Sequence, residues 1–277
     1  MNATVLYDAP GSRARVRHRL IGAVTIVGLA ALVIFAIYRF WDTGQFEPLK
    51  WKQFEYPAIQ AQLIDGLLGT LKAAGTAAVL ALLFGATFAS ARISDAWIFR
   101  GPATFVVELF RAIPLLILIF FGYYVPVRFG MAISNFWALV AGLTVYNGSV
   151  LAEIIRAGIA AIPRGQSEAA YALGLQKTQV VTLILLPQAV RAMLPSIVGQ
   201  LVVLLKDTAL GFIITYPELL YVGKQMGSRL AFDLPYVPTY MVVAAIYISM
   251  CAALSAFANW LAHRGNGKPS PKPASPR

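Results

Sequence analysis

Apolar residues in this chain neither alternate nor recur along one helical stripe. They come in long blocks separated by short polar stretches, at 20–41, 66–91, 102–125, 136–157, 187–206 and 236–262. Each block is close to the roughly 20 residues an α-helix needs to cross a hydrocarbon core of about 30 Å. Hydrocarbon offers no partner to an exposed backbone N–H or C=O, so an apolar block of this length folds as a helix. The pattern predicts an all-α integral membrane bundle of six transmembrane helices. The third and fifth blocks contain charge or proline. In the second, Ala77, Ala81, Gly85 and Ala89 recur every four residues. That is either a smooth ridge for close approach of another helix or ordinary alanine-rich helix.

Composition supports the membrane class. Of 277 residues, 58% are hydrophobic and 13% charged, too little polar material to cover a soluble domain. The net charge of +11 is concentrated at the two ends. Arg13, Arg15, Arg17, His18 and Arg19 precede the first block, and His263, Arg264, Lys268, Lys272 and Arg277 follow the last. Under the positive-inside rule both termini are expected in the cytoplasm, which requires an even number of spans. The inner loops then hold Arg92, Arg100, Arg164 and Lys177. The outer segments hold Lys50, Lys52, Arg128, Lys224 and Arg229, diluted by Asp42, Glu47, Glu55, Asp65, Glu218 and Asp233.

The same pattern excludes several classes. No soluble face interleaves basic and aromatic residues, so nucleic acid is not an expected partner. Cys251 is the only cysteine and lies in an apolar block, which rules out a disulfide framework or thiol metal site. His18 and His263 sit in basic flanks, and no cluster of His, Cys or paired acids stands at catalytic or metal-ligand spacing. The first block is too long for the apolar centre of a signal peptide and lacks a small-residue cleavage site. Tyr38 and Trp41 at its end suit an interfacial belt. Residues 265–277, rich in Pro, Lys and Ser, cannot repay the entropy of ordering and are expected to be disordered.

Between the fourth and fifth blocks the chain is too long for a tight turn and needs structure of its own. Pro163 and Gly165 are expected to break the preceding helix. A short helix then runs over 166–173, with Glu168 favoured near its positive end and Gly174 placed to end it in the left-handed conformation. Ala169, Ala170 and Leu173 form a small apolar face suited to a partner's groove. A second helix over 176–186 stops where Pro187 begins the next span.

The spacing in this loop is specific. Glu168-Ala-Ala, then Gly174 after three residues, then Ile184-Leu-Leu-Pro187 after nine, resembles the EAA motif of bacterial ABC-importer permeases. The form Pro-Arg-Gly-Gln-x-Glu-Ala-Ala-x-Ala-Leu-Gly-Leu is similar to the polar amino-acid uptake branch. So are Glu108-Leu-Phe-Arg-Ala-Ile-Pro-Leu-Leu and Leu205-Lys-Asp-Thr-Ala-Leu-Gly. The wording around Asn147 and Lys206 is similar to glutamate-type permeases.

The resemblance implies a permease domain over 60–262 whose EAA loop, 158–187, docks on a cytoplasmic ATPase through Glu168, Ala169, Ala170, Gly174 and Pro187. It implies two ATPase copies, a second homologous permease, an extracytoplasmic solute-binding protein and an amino-acid substrate, in contact with membrane lipid. A basic cytoplasmic tail (1–19) and a first transmembrane helix (20–41) lie outside that core. No Gly-x-x-x-x-Gly-Lys-Ser/Thr loop occurs, so no cofactor is expected in this chain and ATP belongs to the partner subunit. The chain is not expected to be an enzyme. An ATP-independent carrier or channel is the alternative, and it leaves the EAA loop without a purpose.

Ionisable residues inside a membrane face a bundle interior or water. Asn147, Ser149 and Glu153, with Arg111 and Lys206, are therefore candidates for the translocation path. Glu153 with Arg156, and Glu108 with Arg111, stand at helical i, i+3 spacing and can pair. For Asn147 and Ser149 an interhelical polar contact is the alternative. Pro114 marks an expected bend, Lys206 with Asp207 suits a gate or a snorkelling pair, and Lys72 is expected to snorkel outward.

Overall fold

A computed structural model describes residues 11–265 of the protein, and all regular structure among them is helical. The expectations for 1–10 and 266–277, and for the side chain of His263, lie outside the described residues. Eleven α-helices follow in order: α1 (Ser12–Asp42), α2 (Pro48–Lys52), α3 (Pro57–Ile93), α4 (Trp97–Ala112), α5 (Leu115–Arg128), α6 (Asn135–Ala160), α7 (Arg164–Ala172), α8 (Lys177–Gln179), α9 (Leu186–Asp207), α10 (Leu219–Gly227) and α11 (Tyr236–Gly265).

The centre of the bundle is α3 against α6. Ala77, Ala81, Gly85 and Ala89 are all buried, so the four-residue recurrence is a packing ridge. A Cβ on Gly85 would stand 2.8 Å from Leu151 Cβ and 3.2 Å from the Gly148 carbonyl of α6. Only a ridge without bulk allows two backbones this close. Leu139, Leu143 and Leu151 of α6 fill the space beside it.

Among the described residues five helical stretches are long and apolar enough to cross a membrane: Arg13–Asp42 of α1, then α3, α6, the continuous rod Lys177–Ile214, and α11. The third block departs from the expected single span. It breaks at Ile113–Pro114 into α4 and α5, which meet at 99°. Proline disfavours helical geometry at the residue before it, and Ile113 is extended. At 1.5 Å per residue, α4 and α5 measure about 24 and 21 Å, and neither crosses alone. The bent pair makes the sixth span if it crosses as a unit.

Two further expectations change in the loop after α6. Pro163 does precede a helix, but Gly165 lies inside α7 and breaks nothing. Pro187 does not begin a separate span: α8, a π-helical stretch Val180–Leu185 and α9 form one rod. In the π stretch the Leu186 N–H reaches back five residues to Val181 O. The widened turn accommodates a proline that has no N–H to give and would crowd the carbonyl four residues earlier.

Helix α1 has no residue of its apolar centre buried against the rest of the chain. The segment that follows it is nevertheless held. Lys50 of α2 is buried and pairs with Asp233, and Gln53 Nε2 donates to Thr239 Oγ1 of α11 at 2.9 Å. Lys50 and Asp233 are thus structural partners and not loop charges.

At the same end a tight segment joins α9 to α11. A 3-10 turn (Thr208–Ile214) leads to Thr215 at φ 58°, then to α10, capped by Glu218. The Glu218 carboxyl is fully buried and accepts from Leu220 N–H, Tyr221 N–H and the Tyr247 hydroxyl, each at 2.7 Å. Burial pushes it up to about 7, against the pull of these three hydrogen bonds. Leu219 N–H donates to Thr70 Oγ1 (3.1 Å) and Tyr216 Oη to Gly69 O (2.9 Å), fastening the segment to α3. Burial, then the neighbouring Glu218, holds the Tyr216 hydroxyl above its ordinary range, which keeps it a donor. A Cβ on Gly69 would lie 2.5 Å from Pro217 O. Lys72 stands nearby with its ammonium 5.1 Å from the centre of the Phe136 ring.

Candidate functional site: a charge ladder beside the EAA loop

Charged side chains from α3, α4 and α6 converge at the end of the bundle next to α7. Arg92, in the last turn of α3, donates from Nη1 to Glu153 Oε2 (2.8 Å) and from Nη2 to Glu108 Oε1 (3.1 Å). Arg156 adds two bonds to Glu153, Nε to Oε2 at 3.0 Å and Nη2 to Oε1 at 2.5 Å. Arg111 reaches Glu108 at 3.7 Å, an ion pair without a hydrogen bond. The result is an alternating ladder, Arg111–Glu108–Arg92–Glu153–Arg156, over a small apolar floor of Ala89, Val107 and Ala152.

Each rung has a local cause. The spacing of 108 with 111 and of 153 with 156 places each pair on one helix face. The small ridge of α3 brings Arg92 to α6, and the break at Pro114 ends α4 just after Arg111. The Arg92 guanidinium is enclosed, with 8% of its side chain exposed, and its planar fork serves two carboxylates at once. Glu108, at 56%, is open on the surface of the chain. Charges cannot stand bare in hydrocarbon, so this face meets water or another protein surface.

The structure brings Arg111 and Glu153 together and keeps the other candidates apart. Asn147 is fully buried; its Nδ2 donates to Leu143 O (3.0 Å) and its Oδ1 accepts from Gln200 Nε2 of α9 (2.7 Å). Ser149 is fully buried, and its hydroxyl has no partner among the described residues. Lys206 lies at the far end of α9, beside α10 and α11. Arg92 was not among the sequence candidates. The four-residue small ridge pointed to it, since a helix face that packs through Ala81, Gly85 and Ala89 carries Arg92 to the same side one turn on.

The EAA loop has the expected end. Gly174 takes φ 81°, its N–H donates to Tyr171 O (2.9 Å), and Leu175 N–H donates to Ala170 O (3.3 Å). This paired closure satisfies carbonyls the helix leaves open. The apolar face differs from expectation. Ala170 is buried against the chain's own π stretch, while Ala169, Tyr171 and Leu173 point away, Leu173 being 82% exposed. Glu168 is exposed in the middle of α7. Lys177, just beyond, pairs with Asp95 and donates to Ile93 O at 3.2 Å, which ties the loop to the turn that follows Arg92.

The chain matches the family described as binding-protein-dependent transport system inner membrane component over residues 81–265. It is 43% identical to the glutamate transport system permease protein GluD of Corynebacterium glutamicum, over 78% of this chain and 80% of that one. It is 34% identical to the probable glutamine ABC transporter permease protein GlnP of Bacillus subtilis, over 70% and 89%. Among solved structures it resembles a crystal structure of an amino acid ABC transporter with histidines, with a TM-score of 0.68, 30% identity, and 74% and 94% coverage. An inward-facing MetNI methionine ABC transporter shares the fold at a TM-score of 0.65 and 20% identity, over 76% and 100%. With several membrane helices, a buried α3–α6 core and this match, the chain belongs to the binding-protein-dependent transport system inner membrane components, the permease subunits of ABC importers, which are not themselves enzymes.

Proposed function

We propose that the chain forms half of a translocation path for glutamate or a related polar amino acid, driven by a separate ATPase docked on α7. The exposed charge ladder, set in a membrane bundle and bonded one turn away to the EAA loop, is the observation that carries this reading. In it the α7 end faces the cytoplasm, with both termini on that side. A second permease stands opposite the ladder face across a water-filled path, two ATPase copies bind ATP, and an extracytoplasmic binding protein delivers cargo to the α10 end.

The mechanism follows from the bonds. Closure of the ATPase pair moves α7, whose exposed Tyr171 and Leu173 sit in the ATPase groove, with Glu168 and Ala169 beside them. Lys177 transmits that displacement to Asp95 and the end of α3. Arg92 moves with α3, so its fork on Glu108 and Glu153 opens or closes as the helices rock. Opening leaves carboxylates and guanidiniums to receive the cargo's ammonium and carboxylate groups. Three guanidiniums face two carboxylates, a balance that suits an anionic cargo, in line with the glutamate relative.

The test is uptake of labelled glutamate into vesicles holding the permease, its ATPase and its binding protein. The expected result is uptake that needs all three and ATP, and that unlabelled glutamate suppresses more than arginine does. Uptake by the permease alone would instead support an ATP-independent carrier.

A further inference from the structure

Helices α9, α10 and α11 leave an open trough of about 660 Å³ between them, away from the charge ladder. It follows α11 from Tyr240 to Ser255, 15 steps along the helix or about 22 Å at 1.5 Å per residue. At roughly 30 Å³ per water-sized group its volume holds on the order of twenty such groups in a row, the dimensions of one extended hydrocarbon chain. Its wall is apolar, including Ala244, Ile248 and Cys251, and α11 is largely uncovered by the rest of the chain.

Among the described residues one charged group lines this trough. Lys206 is exposed and lines it, with no carboxylate within 4.0 Å among the described residues. Three other lysines at this end are engaged, Lys50 with Asp233, Lys72 over Phe136 and Lys224 over Phe212, and the exposed Lys52 of α2 does not line the trough. The adjacent Asp207 is half-buried and feels the Lys206 charge, but makes no ion pair with it within 4.0 Å among the described residues. Tyr240, stacked on Tyr236 at 6.4 Å, puts amphipathic rings at the same end of α11, the placement that suits a headgroup boundary. An exposed ammonium with no carboxylate in ion-pair contact, at the end of an acyl-sized apolar trough, is complementary to one class of ligand, a negatively charged amphiphile.

We propose that this trough binds an anionic phospholipid, with an acyl chain along α11 and its phosphate on Lys206. The site is independent of the cargo and of the ladder. The test reconstitutes the whole importer in phosphatidylcholine vesicles containing a minority of phosphatidylglycerol, re-extracts it, and counts retained lipid by mass spectrometry. Wild-type protein should hold phosphatidylglycerol at about fivefold its share of the vesicle, the ratio for one lysine attracted to an anionic lipid. Lys206→Gln should return it to the vesicle's share. Ala244→Trp, which fills the trough and leaves the ammonium, should lower both lipids. Excess inorganic phosphate should leave the enrichment intact, and displacement by phosphate would show an anion site without a lipid. Wild-type retention at the vesicle's share would overturn the proposal. So would enrichment that survives both variants, or loss of the second permease, and not of lipid, in Ala244→Trp.

Discussion

The two ends of the bundle hold their helices together by opposite means. At the α7 end five charges alternate across three helices, partly open to the surface. At the α10 end one ion pair, Lys50–Asp233, ties down α2, but the junction itself is sealed around the Glu218 carboxyl, which has no cation bonded to it among the described residues and is fed by two backbone N–H groups and a phenol, where Gly69 meets Pro217 at backbone distance. Ion pairs near water can be exchanged for other ion pairs at little net cost, since the median exposed pair is worth about 0–1 kcal/mol. A sealed, close-packed junction has no such alternative. The contrast assigns motion to the ladder and rigidity to the α10 junction.

Changing Arg92 bears on it most heavily. Arg92→Met removes the cation shared by two carboxylates, of which Glu153 keeps Arg156 and the exposed Glu108 keeps Arg111, and losing the two charge-assisted bonds should cost about 1.5–3 kcal/mol. The variant should unfold at markedly lower temperature and lose uptake, while Arg92→Lys, which lacks the fork, should recover stability better than transport. Thermal unfolding and vesicle uptake read the two separately. If the sealed junction is rigid, Gly69→Leu should cost up to about 3 kcal/mol by overpacking against Pro217. Gly165→Ala at the other end, with open space around it, should be neutral or stabilising by about 0.4–1 kcal/mol.

Glu218 predicts a pH dependence of the α10 end alone. Its folded value of about 7 lies above the ordinary 4.5, so the folded state holds the proton more tightly than the unfolded one. The stabilisation is fully present below pH 4.5 and is lost as pH rises through about 7. At about 1.4 kcal/mol per unit it amounts to about 3 kcal/mol. The opening free energy of α10, taken from hydrogen exchange after correction for the intrinsic rate at each pH, should therefore fall from acid to neutral pH, and Glu218→Ala should flatten that trend. A smaller effect is expected at Gly174. Nothing crowds its Cβ, so Gly174→Ala should cost only the left-handed φ, about 1–2 kcal/mol. Its readout is the ratio of ATP hydrolysed to cargo moved, which should rise; an unchanged ratio would remove α7 from the coupling path.

What could be read in the sequence was local. Helical spacing announced the Glu108–Arg111 and Glu153–Arg156 pairs, Pro114 the break and Gly174 the cap, because each depends on residues within one turn. Arg92 looked like a loop cation and Glu218 like a loop acid, because Glu153 and Tyr247, the side chains that bond them across helices, lie 61 and 29 residues away in the chain. The 99° turn at Pro114 was visible as a bend but not in size, since its angle is set by what α4 and α5 pack against. Ala170 was assigned to the partner's face because α7 was read as a free helix, whereas the π stretch of its own chain covers that side.

The central claim is that the ladder face borders water in the assembled importer. Ala112 sits one turn beyond Glu108 on that exposed face, and Leu83 is exposed on α3 with no charge beside it. In a Cys251→Ser background, Ala112→Cys and Leu83→Cys can be challenged with a membrane-impermeant thiol reagent. The account predicts that Ala112→Cys reacts, that ATP binding changes its rate, and that Leu83→Cys stays unreactive. An unreactive Ala112→Cys in every nucleotide state would contradict it.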